Sequence, residues 1–366
     1  MVCAPNAFKG TVSAERAAAA MVAGVREAGA DAVAIPVADG GDGTLDVLLG
    51  AAGGEATITM HRVTGPVGLP VDARLGWLPG STAVVEMAEA AGLRLLLGQH
   101  LDALAATSRG AGELLAAALD AGAERVIVGV GGSASTDGGA GLLQALGASL
   151  LDASGKEIGP GGGELARLER VDLSGVHPGL SRADIQVATD VRNPLTGPDG
   201  AAFVFAPQKG AAPEEVGVLD AALTRFARIA ERDLSAAGLA DLAGSGAAGG
   251  AGFALALIGA RLLSGAELVC DLAGLEAALV GAVLALTGEG SLDVQTAFGK
   301  APAEVAARAL RAGVPCAAVA GRVAHPVPGG FVRVMSLEEM GGSTEAMRDA
   351  PRLIQQAARA LAMELL

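Results

Sequence analysis

The stretch VIVGVGGSASTDGGAG, Val126 to Gly141, decides how the chain is read. An apolar run, VIVGV, ends in a glycine loop, and an apolar helical pattern, GLLQALG, follows. Strand, glycine loop and helix in succession are the unit of a parallel α/β sheet. Gly129 to Ala134, GVGGSA, also fits the Gly-x-Gly-x-x-Gly/Ala spacing of dinucleotide loops. Asp152 follows about 20 residues on, where a ribose-binding acid would stand. Asp137 argues the other way. Its carboxylate would lie beside any pyrophosphate held by the loop, and that is repulsive unless a cation stands between them. Dinucleotide loops work without metal, whereas phosphoryl transfer from ATP needs Mg²⁺ held by oxygen ligands. The loop is therefore read as phosphate chemistry first and nicotinamide chemistry second.

The same rhythm appears at both ends of the chain. VCAPN reads as a short buried strand, Ser13 to Ala28 as a helix with Ser13 at its N-cap, and Ala32 to Asp39 as a second strand running into GGDGT. Near Glu55 the pattern changes to alternation around a Gly-Pro turn, which suits antiparallel strands. Near Leu263 the α/β rhythm returns, with Ala282–Gly290 as a strand, Pro302–Ala312 as a helix and PCAAVAGR as another strand. The fold class expected is α/β with two domains. Residues 1–58 and 264–366 would form a Rossmann-like parallel-sheet domain from both chain ends. Residues 59–263 would form an inserted second α/β domain, with the active site in the cleft between the two.

A chain of 366 residues suits two domains at roughly 100–200 residues each, and 51% hydrophobic residues supply more than one core. Lys and Arg number 26 against 40 Asp and Glu, a net charge of −14. Such a surface repels a phosphate backbone at long range, and no Tyr and a single Trp leave few stacking platforms, so nucleic acid is excluded as a partner. Cys3, Cys270 and Cys316 lie far apart in apolar stretches, as buried free thiols do, which points to a reducing cytoplasm. The N-terminus lacks a signal-peptide layout, and no apolar run reaches the length of a membrane span.

Four loops share one layout, in which a strand end gives way to glycines with carboxylates or hydroxyls. They are ADGGDGT (38–44), GGSASTDGG (131–139), ATDVRNPLTG (188–197) and LTGEGSLDVQT (286–296). Ligands of α/β sheets bind at the carboxyl ends of strands, and glycines let backbone N–H groups approach phosphate oxygens. Asp and Gly also form ordinary turns, so one such loop means little, while four carrying acids mean more. Cations near these loops stand out: Lys9, Lys209, Arg192, Lys300 and Arg322, with Lys9 foremost because it follows a strand end and precedes a helix. The chain has no Walker A sequence, no protein-kinase signature and no G-x-S-x-G elbow. Its four histidines are too scattered for a zinc site or a triad.

Taken in order, APNAFKGTVSA, PVADGGDGT, TSRGAGELL, IVGVGGSASTDGGAGLLQALGA, ATDVRNPLTGPDGAAFVFAPQKGA, LAGSGAAGGAG and LTGEGSLDVQTAFGKAP resemble the bacterial glycerate kinases of type I across nearly the whole chain. The resemblance implies ATP-dependent, Mg²⁺-assisted phosphorylation of D-glycerate, usually to 2-phosphoglycerate, by a monomer or homodimer. Two departures stand out. Relatives often have Ser-Tyr-Lys or Ser-Phe-Lys where this chain has Ala7-Phe8-Lys9, and often Arg where it has Ser291. On this reading Lys9 contacts a phosphate or the substrate carboxylate. Asp190 is the acid that accepts the hydroxyl proton, with Asp137 as its rival. Asp39, Gly40, Gly41, Asp42, Gly131, Gly132, Ser133, Arg192, Asn193 and Lys209 bind substrate or phosphate. Glu289 and Asp293, together with Asp42, orient nucleotide or metal. Two other classes stay open at this point, a nicotinamide-dependent oxidoreductase and a non-catalytic binder of phosphorylated metabolites.

Overall fold

The computed structural model describes residues 1–366 except 294–299, 325 and 328. Among the described residues the strands in chain order are β1 (Val2–Pro5), β2 (Val33–Ala34), β3 (Thr57–Thr64), β4 (Pro70–Leu78), β5 (Thr82–Glu86), β6 (Arg125–Gly129) and β7 (Ser149–Asp152). They continue with β8 (Leu168–Asp172), β9 (Asp184–Ala188), β10 (Arg261–Leu263), β11 (Ala285–Leu292), β12 (Cys316–Val323) and β13 (Arg333–Ser336). The chain divides into two compact units. One comprises Met1–Asp39, Asp46–Gly53 and Ser264–Leu366, the other Gly40–Leu45 and Gly54–Leu263.

The first unit is a five-stranded parallel sheet in the order β13-β12-β11-β1-β2. Its strands read as near-continuous apolar runs because both faces are buried. Val2 and Ala4 point into one core with Val305 and Leu279, while Cys3 points into the other with Met21 and Ile354. On that second face helix Ala14–Glu27 lies against helix Ala350–Leu365. The approach is so close that a Cβ on Gly24 would meet the Gln355 carbonyl at 2.0 Å. Ser13 caps the first of these helices, accepting from the Arg16 amide.

The strand expected at Ala32–Asp39 is shorter than its pattern. Only Val33–Ala34 pairs as a strand with β1, and Pro36 is accommodated because the N–H position of residue 36 faces the open edge of the sheet. The backbone still follows β1 beyond that point, with the Ile35 amide on the Cys3 carbonyl (2.8 Å) and the Val37 amide on the Pro5 carbonyl (3.0 Å).

The second unit holds a six-stranded mixed sheet, β10-β9-β6-β5-β4-β3. β10, β9, β6 and β5 run parallel, and β4 and β3 add the antiparallel part that alternation and the Gly-Pro turn predict. A small antiparallel pair, β7-β8, stands apart from it. Helix Pro213–Leu234 packs its buried stripe, Leu219, Leu223 and Phe226, into a separate core, where Phe226 meets Phe253 edge-on at 5.3 Å.

Candidate functional site

Strand order fixes where a ligand can sit in the first unit. The chain goes from β1 outward to β2, then returns on the other side of β1 with β11. The gap past the carboxyl ends of β1 and β11 is thus a topological switch point, the place where open α/β sheets hold ligands. A cavity of about 410 Å³ opens there. Lys9, Lys300, Arg322, Asp39, Glu289, Asp293 and Glu338 line it, and Ala346 and Met347 add an apolar wall.

Each polar group reaches the cavity for a local reason. Phe8 and Val12 exchange backbone hydrogen bonds around a tight turn, and Thr11 Oγ1 donates to the Phe8 carbonyl. That turn needs a left-handed residue, supplied by Gly10 at φ +80°, and it holds Lys9 outward. Asp39 is oriented by the buried Asn6, whose side-chain amide donates to it at 3.2 Å. Gly290 paves the floor, where a Cβ would stand 3.2 Å from the Lys9 amide nitrogen. Lys300 Nζ lies 3.9 Å from the Asp293 carboxylate. Among the described residues Lys9 and Arg322 form no ion pair, and the enclosed hydroxyl of Ser291 has no hydrogen-bond partner.

The second unit gathers the other glycine loops around each other. The Gly131 amide donates to the Gly40 carbonyl at 2.9 Å, and a Cβ on Gly131 would strike Gly41 Cα at 2.4 Å. Gly40, at φ +85°, is pressed so close to the end of β9 that its Cβ would meet the Ala188 carbonyl at 2.1 Å. The Asp42 carboxylate occupies the space beside Gly132 and pairs with Arg94 at 3.8 Å. Glu86, at the carboxyl end of β5, is 2% exposed and takes the Gly43 amide on both oxygens (3.2 Å each) and the Leu45 amide at 2.9 Å. Burial pushes its carboxyl up to about 7 against the pull of those amides, and the charges of Asp42 and Glu89 push the same way. Burial would raise Glu89 as well, but hydrogen bonds from Arg74 and the charges of Arg94 and Arg74 hold it below the usual range.

Several expectations change on this geometry. Gly131 was expected to present its amide to phosphate, yet that amide is already bonded to Gly40, so the glycine serves loop-to-loop packing. Lys209 was expected to bind substrate phosphate. Its ammonium is instead buried, donating to Ser133 Oγ (2.9 Å) and to the Ser135 carbonyl (2.5 Å). Lys209 thus braces the loop from behind, and the Ser133 hydroxyl is engaged by it. Desolvation lowers the Lys209 amine to about 7, opposed by the charge of Asp137. Asp137 is fully enclosed, and its carboxylate accepts from the Ser108 amide and hydroxyl and from the Gly139 and Gly141 amides. A proton acceptor must be reached by substrate, and Asp137, enclosed here, serves as a structural post joining these loops.

Asp190 and Arg192 lie in the loop past β9, half-buried and exposed respectively. Asn193 donates its side-chain amide to the Asp199 carbonyl. Asp152 accepts from the Ser154 and Lys156 amides at the end of β7. The QTAFG part of the last motif lies outside the described residues.

Sequence reading passed over Asn6 and Glu86, and noted Ser291 only as a departure where relatives often have Arg. For Glu86 a signal existed, a charge set directly against the buried run AVV. For Ser291 the structure adds that its enclosed hydroxyl has no hydrogen-bond partner.

Fold and cavity together define an α/β protein with a charged cavity, lined by three cations and four carboxylates, at the carboxyl edge of a parallel sheet. Comparison with known proteins makes this specific. The model of the glycerate kinase family matches residues 1–366. A glycerate kinase of Bacillus subtilis (strain 168) is 47% identical over 329 residues, 89% of this chain and 85% of that one. Glycerate 2-kinase of Escherichia coli (strain K12) is 43% identical over 100% of this chain and 97% of its own length. A crystal structure from Salmonella typhimurium LT2, assigned as glycerate kinase 2, superposes with a TM-score of 0.84 at 44% identity, covering 100% of this chain and 97% of that one. The chain belongs to the glycerate kinase family, and it is an enzyme with that activity.

Proposed function

We propose that this enzyme transfers the γ-phosphoryl group of ATP to the C2 hydroxyl of D-glycerate, giving 2-phosphoglycerate and ADP. The observation that carries the reading is full-length membership of the glycerate kinase family, supported by a cavity at the β1/β11 switch point where cations and carboxylates stand side by side. The regiochemistry follows the Escherichia coli relative, whose name specifies the 2-position. In the transfer, the substrate oxygen forms a bond to the γ-phosphorus in line as the bond to the β-phosphate oxygen breaks. Asp190 takes the hydroxyl proton. Lys9 neutralises charge on a phosphate. Little covalent work falls to the protein, so the rate comes from positioning and charge stabilisation.

Mg²⁺ is commonly held by one or two carboxylates together with substrate phosphates. Glu289 and Asp293 line the same cavity and fit that demand, whereas no cluster of three or more metal-binding side chains exists among the described residues. When bound there, the ion would supply neutralisation of phosphate charge. The three cysteines are buried free thiols, each raised to about 12 by burial, which suits a cytoplasmic enzyme.

The test is phosphorus NMR of purified protein with ATP, Mg²⁺ and D-glycerate. A 2-phosphate ester couples to one proton and gives a doublet. A triplet would assign the 3-position, and no phosphoglycerate at all would overturn the reading.

A further inference from the structure

The ligand of the β1/β11 cavity can be named from its own chemistry. We infer that this cavity is the nucleoside triphosphate site, with the polyphosphate on Lys9, Lys300, Arg322 and the Ser291 hydroxyl and the base against Ala346–Met347. The inference rests on the ATP-dependent reading above and divides its two substrates.

Size speaks first. A three-carbon acid would leave most of about 410 Å³ to water, while that volume lies in the range of pockets that enclose drug-sized ligands. Charge speaks second. Three cations line the cavity beside four carboxylates, Asp39, Glu289, Asp293 and Glu338, and two of the cations, Lys9 and Arg322, form no ion pair among the described residues. Cations and acids side by side suit a polyphosphate bound together with its divalent ion. Ser291 is the independent observation. Its hydroxyl is shut from solvent and makes no hydrogen bond, although its residue lines the cavity. A buried hydroxyl without a partner is costly, and a phosphate oxygen would relieve it. The last feature is the wall. Met347 and Ala346 add an apolar surface that a small hydroxy acid cannot use and a purine can.

The test pairs photolabelling with calorimetry on the full chain. With 8-azido-ATP and Mg²⁺, label is expected on peptides from Leu337–Arg348 or from β11. Label on the glycine loops of residues 40–45 or 131–139 overturns the inference, as does failure to label at all. Ser291→Ala should weaken ATP binding roughly three- to tenfold, the worth of one hydrogen bond, and leave D-glycerate affinity unchanged. The converse, weakened glycerate and unchanged ATP, gives the cavity to the acid and overturns the proposal. The two readings fail separately. Wild-type protein that makes phosphoglycerate but is labelled elsewhere refutes the site alone. Protein labelled in this cavity that makes no phosphoglycerate refutes the reaction alone.

Discussion

Lys9 and Lys209 both stand beside glycine turns in the sequence, and the fold gives them opposite surroundings. Lys9 is exposed on a five-residue turn, and Lys209 is enclosed with its amine on Ser133 and Ser135. Lys9→Ala should therefore keep the circular dichroism spectrum and lose activity by about a hundredfold or more, the scale of one lost transition-state charge contact. Wild-type turnover in that variant would remove Lys9 from the mechanism. The two aspartates divide in a similar way. Asp190→Asn should keep its urea midpoint and lose at least about a hundredfold in kcat, as for a lost general base. Asp137→Ala strands the Ser108, Gly139 and Gly141 donors and should cost about 2–4 kcal/mol in urea denaturation. Lys9 and Asp39 were legible because a polar residue after an apolar strand faces the ligand edge of the sheet. The enclosure of Asp137 and Lys209 was not, because it depends on loops that meet from distant parts of the chain.

Among elements, the start of helix Thr44–Ala52 shows what burial of one acid does. Glu86 ties the Gly43 and Leu45 amides at that helix start, and its carboxyl titrates at about 7 in the fold against 4.5 ordinarily. The folded protein thus holds more protons than the unfolded chain between those values. Stability falls as pH rises through about 4.5 to 7, and the penalty, on the order of 3 kcal/mol, is fully present above that window. Glu86→Gln should flatten the pH dependence of the urea midpoint in that interval. An unchanged slope would show that Glu86 does not titrate there. Lys209 does not confuse the measurement, since its lowered value of about 7 makes its own contribution change only above that window.

Arg308 is a second test of an element junction. Its guanidinium is 4% exposed and binds Asp271, Glu276, Glu304 and the Glu267 carbonyl, joining three helices. Arg308→Ala should cost about 3 kcal/mol or more by leaving those acids around an empty place. Helix starts such as Ser13 were legible, since capping is local. The shortness of β2 was not legible, because the chain keeps bonding to β1 through the Ile35 and Val37 amides after regular pairing ends. The β7-β8 pair was missed, its strands being short and separated by the glycine cluster GPGGGE.

For the molecule as a whole, the α/β class was readable because parallel strands buried on both faces leave long apolar runs between glycine turns. The net charge of −14 bears on kinetics more than on fold. Anionic substrates approach against the average field, so kcat/KM for ATP should hold or rise between about 0.01 M and 0.15 M salt, as the Debye length shrinks from about 30 to about 8 Å. A steep fall would mean that local cations dominate approach. The seating of helix Ala14–Glu27 on helix Ala350–Leu365 has a consequence for biosynthesis. β1 finds β2 soon after synthesis, but its other edge and the helix Ala14–Glu27 stay uncovered until β11 and the helix Ala350–Leu365 follow. At about 5–20 residues per second that is a wait on the order of tens of seconds. During it the intervening unit can already have closed its own core. The uncovered apolar face of helix Ala14–Glu27 is where a chaperone would be needed.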